Sequence, residues 1–220
     1  MTRRAPEPDT VMALLTSAYG AVEWRPRMEP LEELIFTVLT QHTSDLNAER
    51  AYREMRRRYP SWQDVVDADQ RGLADALRSG GLADQKSARV QAILREIVSR
   101  RGEYEISFLK DLSLDAARAW LQSLPGVGPK TAAVVLSFSF GMPALPVDTH
   151  IHRVSKRLRL ISAKTTADKA HDILEARVRP ADRFKFHVLL ITHGRKTCSA
   201  RNPKCDACVL SAVCPSAGKV

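Results

Sequence analysis

Cysteine is missing from the first 197 residues of this 220-residue chain, strand-like alternation is nearly absent, and the longest mostly apolar stretch, residues 131–140, is ten residues long. A disulfide framework would spread its staples through a secreted fold, so that class is excluded. The apolar stretch falls far short of the roughly 20 residues of a membrane-spanning helix. Behind the opening Arg3 and Arg4 no apolar run follows, so no secretory leader is expected and the chain reads as soluble and intracellular. Acidic residues are also in deficit, 25 against 34 basic ones, giving a net charge of +9 and a pI near 9.7. A polyanion such as nucleic acid, or an anionic membrane surface, is the partner that such a balance favours.

What is present is helical periodicity. Leu31, Leu34, Ile35, Val38 and Leu39 share one face, as do Ala48, Ala51, Tyr52, Met55 and Tyr59, and Val90, Ile93, Leu94 and Ile97. Ser44, Ser61, Ser113 and Thr166 stand where N-caps belong, and Gly80-Gly81, Gly102, Gly141 and Gly194 where helices stop. The chain is therefore all-α, with roughly ten helices of ordinary length. A weak seam runs through Gly141-Met-Pro-Ala-Leu-Pro146, where two prolines interrupt the pattern.

Two motifs carry chemistry. Leu124-Pro-Gly-Val-Gly-Pro-Lys-Thr-Ala132 sets two glycines between an amphipathic stretch and an apolar helix. Gly126 and Gly128 can take positive φ and bring backbone N–H groups against a phosphate at the N-terminus of the next helix; a plain glycine turn is the alternative. The cysteines follow the spacing Cys198-x6-Cys205-x2-Cys208-x5-Cys214, four thiols in one loop, enough for an iron–sulfur cluster or a zinc ion. Zinc sites usually pair two short knuckles, and here one short pair exists.

The hairpin string, then Val147-Asp-Thr-His-Ile-His-Arg-Val154, then His193-Gly-Arg and the cysteines resemble endonuclease III, in the helix-hairpin-helix glycosylase superfamily. The match runs in order from about Glu33 to Cys214. It implies a six-helix barrel over residues 30–142, with the helix-hairpin-helix at about 114–140, and a second helical domain from residues 1–29 and 143–220 around a [4Fe-4S] cluster, with a DNA cleft between them. The implied activity is that of a bifunctional DNA glycosylase/AP lyase of base excision repair, removing oxidised pyrimidines from damaged double-stranded DNA and nicking the strand by β-elimination. A monomer in the cytoplasm, at the nucleoid of a prokaryote, goes with it.

Residue by residue, the resemblance makes Lys130 the catalytic nucleophile and Asp148 the catalytic carboxylate, with Cys198, Cys205, Cys208 and Cys214 as cluster ligands. Read alone, Lys130 is equally a phosphate contact and Asp148 an N-cap. A helix dipole and partial burial are expected to help the amine lose its proton. Two loops should fill the gap left by an extruded nucleotide: Gln41 and His42 in the first, with His42 where the family usually has glutamine, and Leu82 in the second. Helix capping by His42 and core anchoring by Leu82 are the alternatives. Arg153, Lys156, Arg157 and Arg159 form one basic cluster and Arg195, Lys196, Arg201 and Lys204 another, while Arg56-Arg57-Arg58 reads as a solvated face. Rival functions are a mismatch or alkylated-base glycosylase of the same superfamily, an adenine glycosylase, which would lack the lysine, and a non-enzymatic helix-hairpin-helix DNA-binding module.

Overall fold

The computed structural model describes residues 4–219; the basic opening residues 1–3 and Val220 lie outside the described part. Eleven α-helices and no strand form among the described residues, which bears out the all-α reading. The chain divides into two compact units, Pro26–Phe140, and Met1–Arg25 with Gly141–Val220.

The unit Pro26–Phe140 contains α2 (Pro30–Leu39), α3 (Asp45–Arg58), α4 (Trp62–Asp67), α5 (Gln70–Ala76), α6 (Ala83–Arg101), α7 (Leu114–Gln122) and α8 (Pro129–Phe140), with short 3-10 turns at Arg78–Gly80 and Ser107–Asp111. Local chemistry starts the helices: Ser44, Ser61 and Ser113 each accept a backbone N–H three residues on, as their positions predict. Asp69 does the same for α5. The core gathers Leu34, Ile35, Val38, Leu39, Met55, Ile93, Leu94, Leu121 and Val135, all with no exposed surface. Helix α8 packs on α2 and α7. Its residues 131–137 are all buried, because Thr131, alanines, valines, Leu136 and Ser137 offer little polar surface to lose. Glu33, fully buried, is paired with Arg27, whose guanidinium lies over the rings of Phe36 and Phe138.

The other unit contains α1 (Pro8–Tyr19), α9 (Thr149–Arg157), α10 (Ala167–Arg177) and α11 (Arg183–Lys196), followed by the cysteine loop. Its core brings Val11 and Leu15 of α1 against Ile151, Leu174, Phe186 and Leu190, with Cys198, Cys208 and Cys214 packed on its edge. Thr166 caps α10 as expected. Gly194 does not stop a helix: it lies inside α11, buried. A Cβ there would come within 2.9 Å of His150 Cβ and 3.3 Å of Val154 Cγ2, so the glycine lets α11 approach α9 closely. Sequence cannot distinguish a glycine that ends a helix from one that lets two helices touch.

Candidate functional site

The hairpin joins α7 to α8 through Leu124 and Val127, both buried, with Val127 N–H closing a turn onto the Leu124 carbonyl at 3.2 Å. Gly126 sits at φ +70°, where a side chain is strained. Gly128 does not take positive φ, contrary to expectation. It stands just before α8, its carbonyl accepting from Ala132 N–H at 3.0 Å, and a Cβ there would meet open space. Pro129 opens the helix with a φ already suited to it. The N–H groups of the first turn have no intrahelical acceptor.

Lys130 is exposed, not partly buried as expected, because burial on α8 begins one residue later at Thr131. Its base is braced. Gln41, two residues past α2, donates from Nε2 to Thr131 Oγ1 at 3.3 Å and accepts from Arg89 Nη1 at 2.6 Å. Both ends of the Gln41 amide are thus engaged within the protein, while the next residue, His42, is exposed. His42 holds φ 54° and Leu82, 48% exposed, holds φ 50°. Non-glycine residues rarely occupy this left-handed region, and such strain collects at functional sites. Lys86 and Arg89, which the sequence reading passed over, lie on α6 behind these loops.

In the other unit Asp148 is half-buried and caps α9, its Oδ1 accepting from Ile151 N–H at 2.7 Å. The cap fixes the carboxylate in place at the N-terminus of α9. Arg153 and Arg157, expected on a basic surface, turn instead to the cysteine loop. Arg153 donates to the Cys198 carbonyl at 2.9 Å and the Gly194 carbonyl at 2.8 Å. Arg157 reaches the Ser199 carbonyl at 2.6 Å and Cys198 Sγ at 3.2 Å. Arg57 and Arg58 are paired with Glu54, as a solvated face would have them.

All four cysteines line one pocket, together with Val154, Leu158, His193 and Leu210. The thiols are half-buried and form no disulfide, and burial pushes those of Cys208 and Cys214 up, with the neighbouring sulfurs adding to it. Four convergent sulfurs, an apolar wall and a guanidinium beside Cys198 fit an anionic thiolate-held group, since ligation replaces the proton that burial would otherwise retain. His193, 1% exposed, has an imidazole pushed down to about 4 by burial. Its Nδ1 lies 3.0 Å from Tyr19 Oη and its Nε2 3.6 Å from Cys208 Sγ. His152 and His187 are spent on the carbonyls of Thr165 and Pro146, each at 2.9 Å.

Comparison with known proteins follows the same two regions. The profile of the HhH-GPD superfamily of base excision DNA repair proteins matches residues 35–180, and that of the iron-sulfur binding domain of endonuclease III matches residues 198–214. Endonuclease III of Thermotoga maritima is 34% identical over 187 residues, 84% of this chain and 83% of that protein. A candidate DNA glycosylase of Arabidopsis thaliana is 32% identical over 169 residues, 77% of this chain, which spans 57% of the plant protein's length. A solved structure of a trapped endonuclease III–DNA covalent intermediate superposes with a TM-score of 0.81 at 28% identity, covering 94% of this chain and 93% of that one.

Proposed function

The chain belongs to the endonuclease III family within the HhH-GPD superfamily, and from that premise we infer a bifunctional DNA glycosylase/AP lyase that acts on damaged duplex DNA. It carries a [4Fe-4S] cluster, whose ligands we assign to Cys198, Cys205, Cys208 and Cys214. Held by those four thiolates, a cluster would fix the loop that carries Arg201 and Lys204, next to backbone that Arg153 and Arg157 already hold. No membrane-crossing helix occurs among the described residues, and a place in the cytoplasm, at the nucleoid, suits a DNA substrate.

One observation carries the reading: the exposed Lys130 stands at the foot of a helix whose next seven residues are buried, directly after a glycine hairpin. Gly126, Gly128 and the first-turn N–H groups of α8 take a DNA phosphate, which sets register without reading bases. The neutral Lys130 amine attacks C1′ of the deoxyribose; a C–N bond forms as the glycosidic bond breaks and the base departs with its electron pair. Ring opening gives an iminium between Nζ and C1′, loss of a C2′ proton feeds electrons into it, and the bond from C3′ to the phosphate oxygen breaks. Because Lys130 is exposed in the free protein, its desolvation comes from the substrate that covers it. Asp148, held in place by its capping bond, stabilises positive charge developing at the sugar and accepts protons there. His42 and Leu82 fill the gap left by the extruded nucleotide, and oxidised pyrimidines are the lesions.

Borohydride trapping tests this. Incubation with an oligonucleotide bearing thymine glycol or an abasic site gives a covalent adduct, which Lys130→Ala abolishes and Asp148→Asn slows. A wild-type protein that excises the base without forming an adduct overturns the lyase assignment and supports a monofunctional mismatch or alkylated-base glycosylase. Binding without either reaction leaves a DNA-binding module.

A further inference from the structure

Lys86 is 2% exposed, a burial that lysine almost never reaches without an acidic partner. Among the described residues it forms no ion pair. Its ammonium donates instead to two backbone carbonyls, Leu39 at 2.8 Å and Gly80 at 2.7 Å. These carbonyls have definite places. Leu39 ends α2, three residues before His42, and Gly80 ends the Arg78–Gly80 turn, two residues before Leu82. The backbone N–H of Lys86 also donates to the Leu82 carbonyl at 2.9 Å. Gly80 is pressed against the unit's interior from behind, since a Cβ there would come within 3.1 Å of Ala51 Cβ.

We propose that Lys86 is a positioning residue: its buried ammonium ties the end of α2 to the Arg78–Gly80 turn and so holds His42 and Leu82 at a fixed separation, as one two-pronged wedge. This rests on the reading of those two residues as the groups that enter the duplex. A stability role alone does not account for the ammonium, because an apolar side chain of the same volume commonly serves a buried site as well or better. What an apolar side chain cannot do is fix the spacing of two carbonyls. Two prongs that fill one gap must enter it together, and a loose span lets either enter without the other. The left-handed backbone at both prongs points the same way, since strain persists only where the surroundings over-determine it.

The test compares wild type with Lys86→Met, which keeps length and loses every donor, and with Lys86→Gln, which is too short to hold both carbonyls. Single-turnover cleavage is measured at an abasic site within a duplex and within a single strand, where no partner strand leaves a gap to fill. Extrusion is followed through the fluorescence of 2-aminopurine placed opposite the site. The ratio of duplex to single-strand rate is expected to fall about tenfold, short of the ~100-fold that a misplacement of 1 Å can cost, with weaker 2-aminopurine fluorescence. An unchanged ratio overturns the proposal, as does an equal fall of both rates in step with melting temperature. Failure of the enzymatic reading is separable: a wild type that traps no adduct sinks the lyase chemistry, and the fluorescence comparison still decides the role of Lys86.

Discussion

The guanidinium of Arg89 lies across Gly126, so closely that a Cβ built on the glycine would stand 2.4 Å from Arg89 Nε and 2.6 Å from Cδ. The same guanidinium holds Gln41, which in turn reaches Thr131, the neighbour of Lys130. Gly126→Ala therefore acts twice. It places a side chain at φ +70° and forces Arg89 off Gln41. A loss of about 2 kcal/mol in urea unfolding is expected, roughly half from the backbone and half from crowding. Adding Arg89→Ala should return the crowding part. A double variant no more stable than Gly126→Ala alone would show that the contact with Arg89 is not what excludes the methyl.

His42 and Leu82 lead to a division between stability and activity. Each pays about 1 kcal/mol or more for its left-handed backbone. Glycine removes that strain and costs roughly 0.5–1 kcal/mol of chain entropy, so His42→Gly and Leu82→Gly should leave folding stability within about 1 kcal/mol of wild type. Excision from duplex DNA should fall in both. Stability lost by several kcal/mol with excision intact would identify the side chain as a packing anchor and remove it from the wedge.

Sequence made the local devices visible and hid those that depend on distant partners. Ser44, Ser61, Ser113 and Thr166 cap helices because the bond reaches only three residues on, and the place of Lys130 after the glycine hairpin is equally a short-range pattern, whereas its exposure depends on the packing of α8. Gly194 was misleading for the opposite reason: what it accommodates, His150 and Val154, lies on another helix. Lys86 bonds to a carbonyl 47 residues away, and nothing in its neighbourhood distinguishes it from a solvated lysine. Arg153 and Arg157 looked like surface charge until the cysteine loop folded onto them. The bond between Tyr19 and His193 spans 174 residues.

That last pair sets an expectation for the cluster. Tyr19 Oη lies 3.0 Å from His193 Nδ1 and 2.9 Å from Thr197 Oγ1. A neutral imidazole has one N–H, and a thiolate at Cys208 calls for it on Nε2; Nδ1 then accepts from Tyr19. Tyr19→Phe removes that donor and frees the proton to move to Nδ1, away from the sulfur. Iron content should stay near wild type while the reduction potential of the DNA-free protein falls, because hydrogen bonds to sulfur favour the more negative reduced state. Voltammetry giving an identical potential would dismiss the relay.

Lys86 has a pH signature of its own. Burial, with the nearby Arg89 charge adding to it, holds its ammonium below the ordinary lysine pKa. In the unfolded chain that pKa returns to about 10.4. Between the lowered folded value and the unfolded one, the unfolded state binds more protons, so stability attributable to Lys86 rises with pH across that window; below both values the group contributes no slope. The neutral amine keeps two N–H bonds, one for each of the carbonyls of Leu39 and Gly80, so the clamp survives the loss of charge. Urea unfolding of wild type and Lys86→Met at intervals from pH 7 to about 10 isolates this term, because the other titrating groups cancel in the difference. Wild type should gain on the variant as the solution becomes alkaline. A difference that stays level would mean that the ammonium is as well solvated folded as unfolded, and one that shrinks would mean that the two carbonyls prefer the charged form.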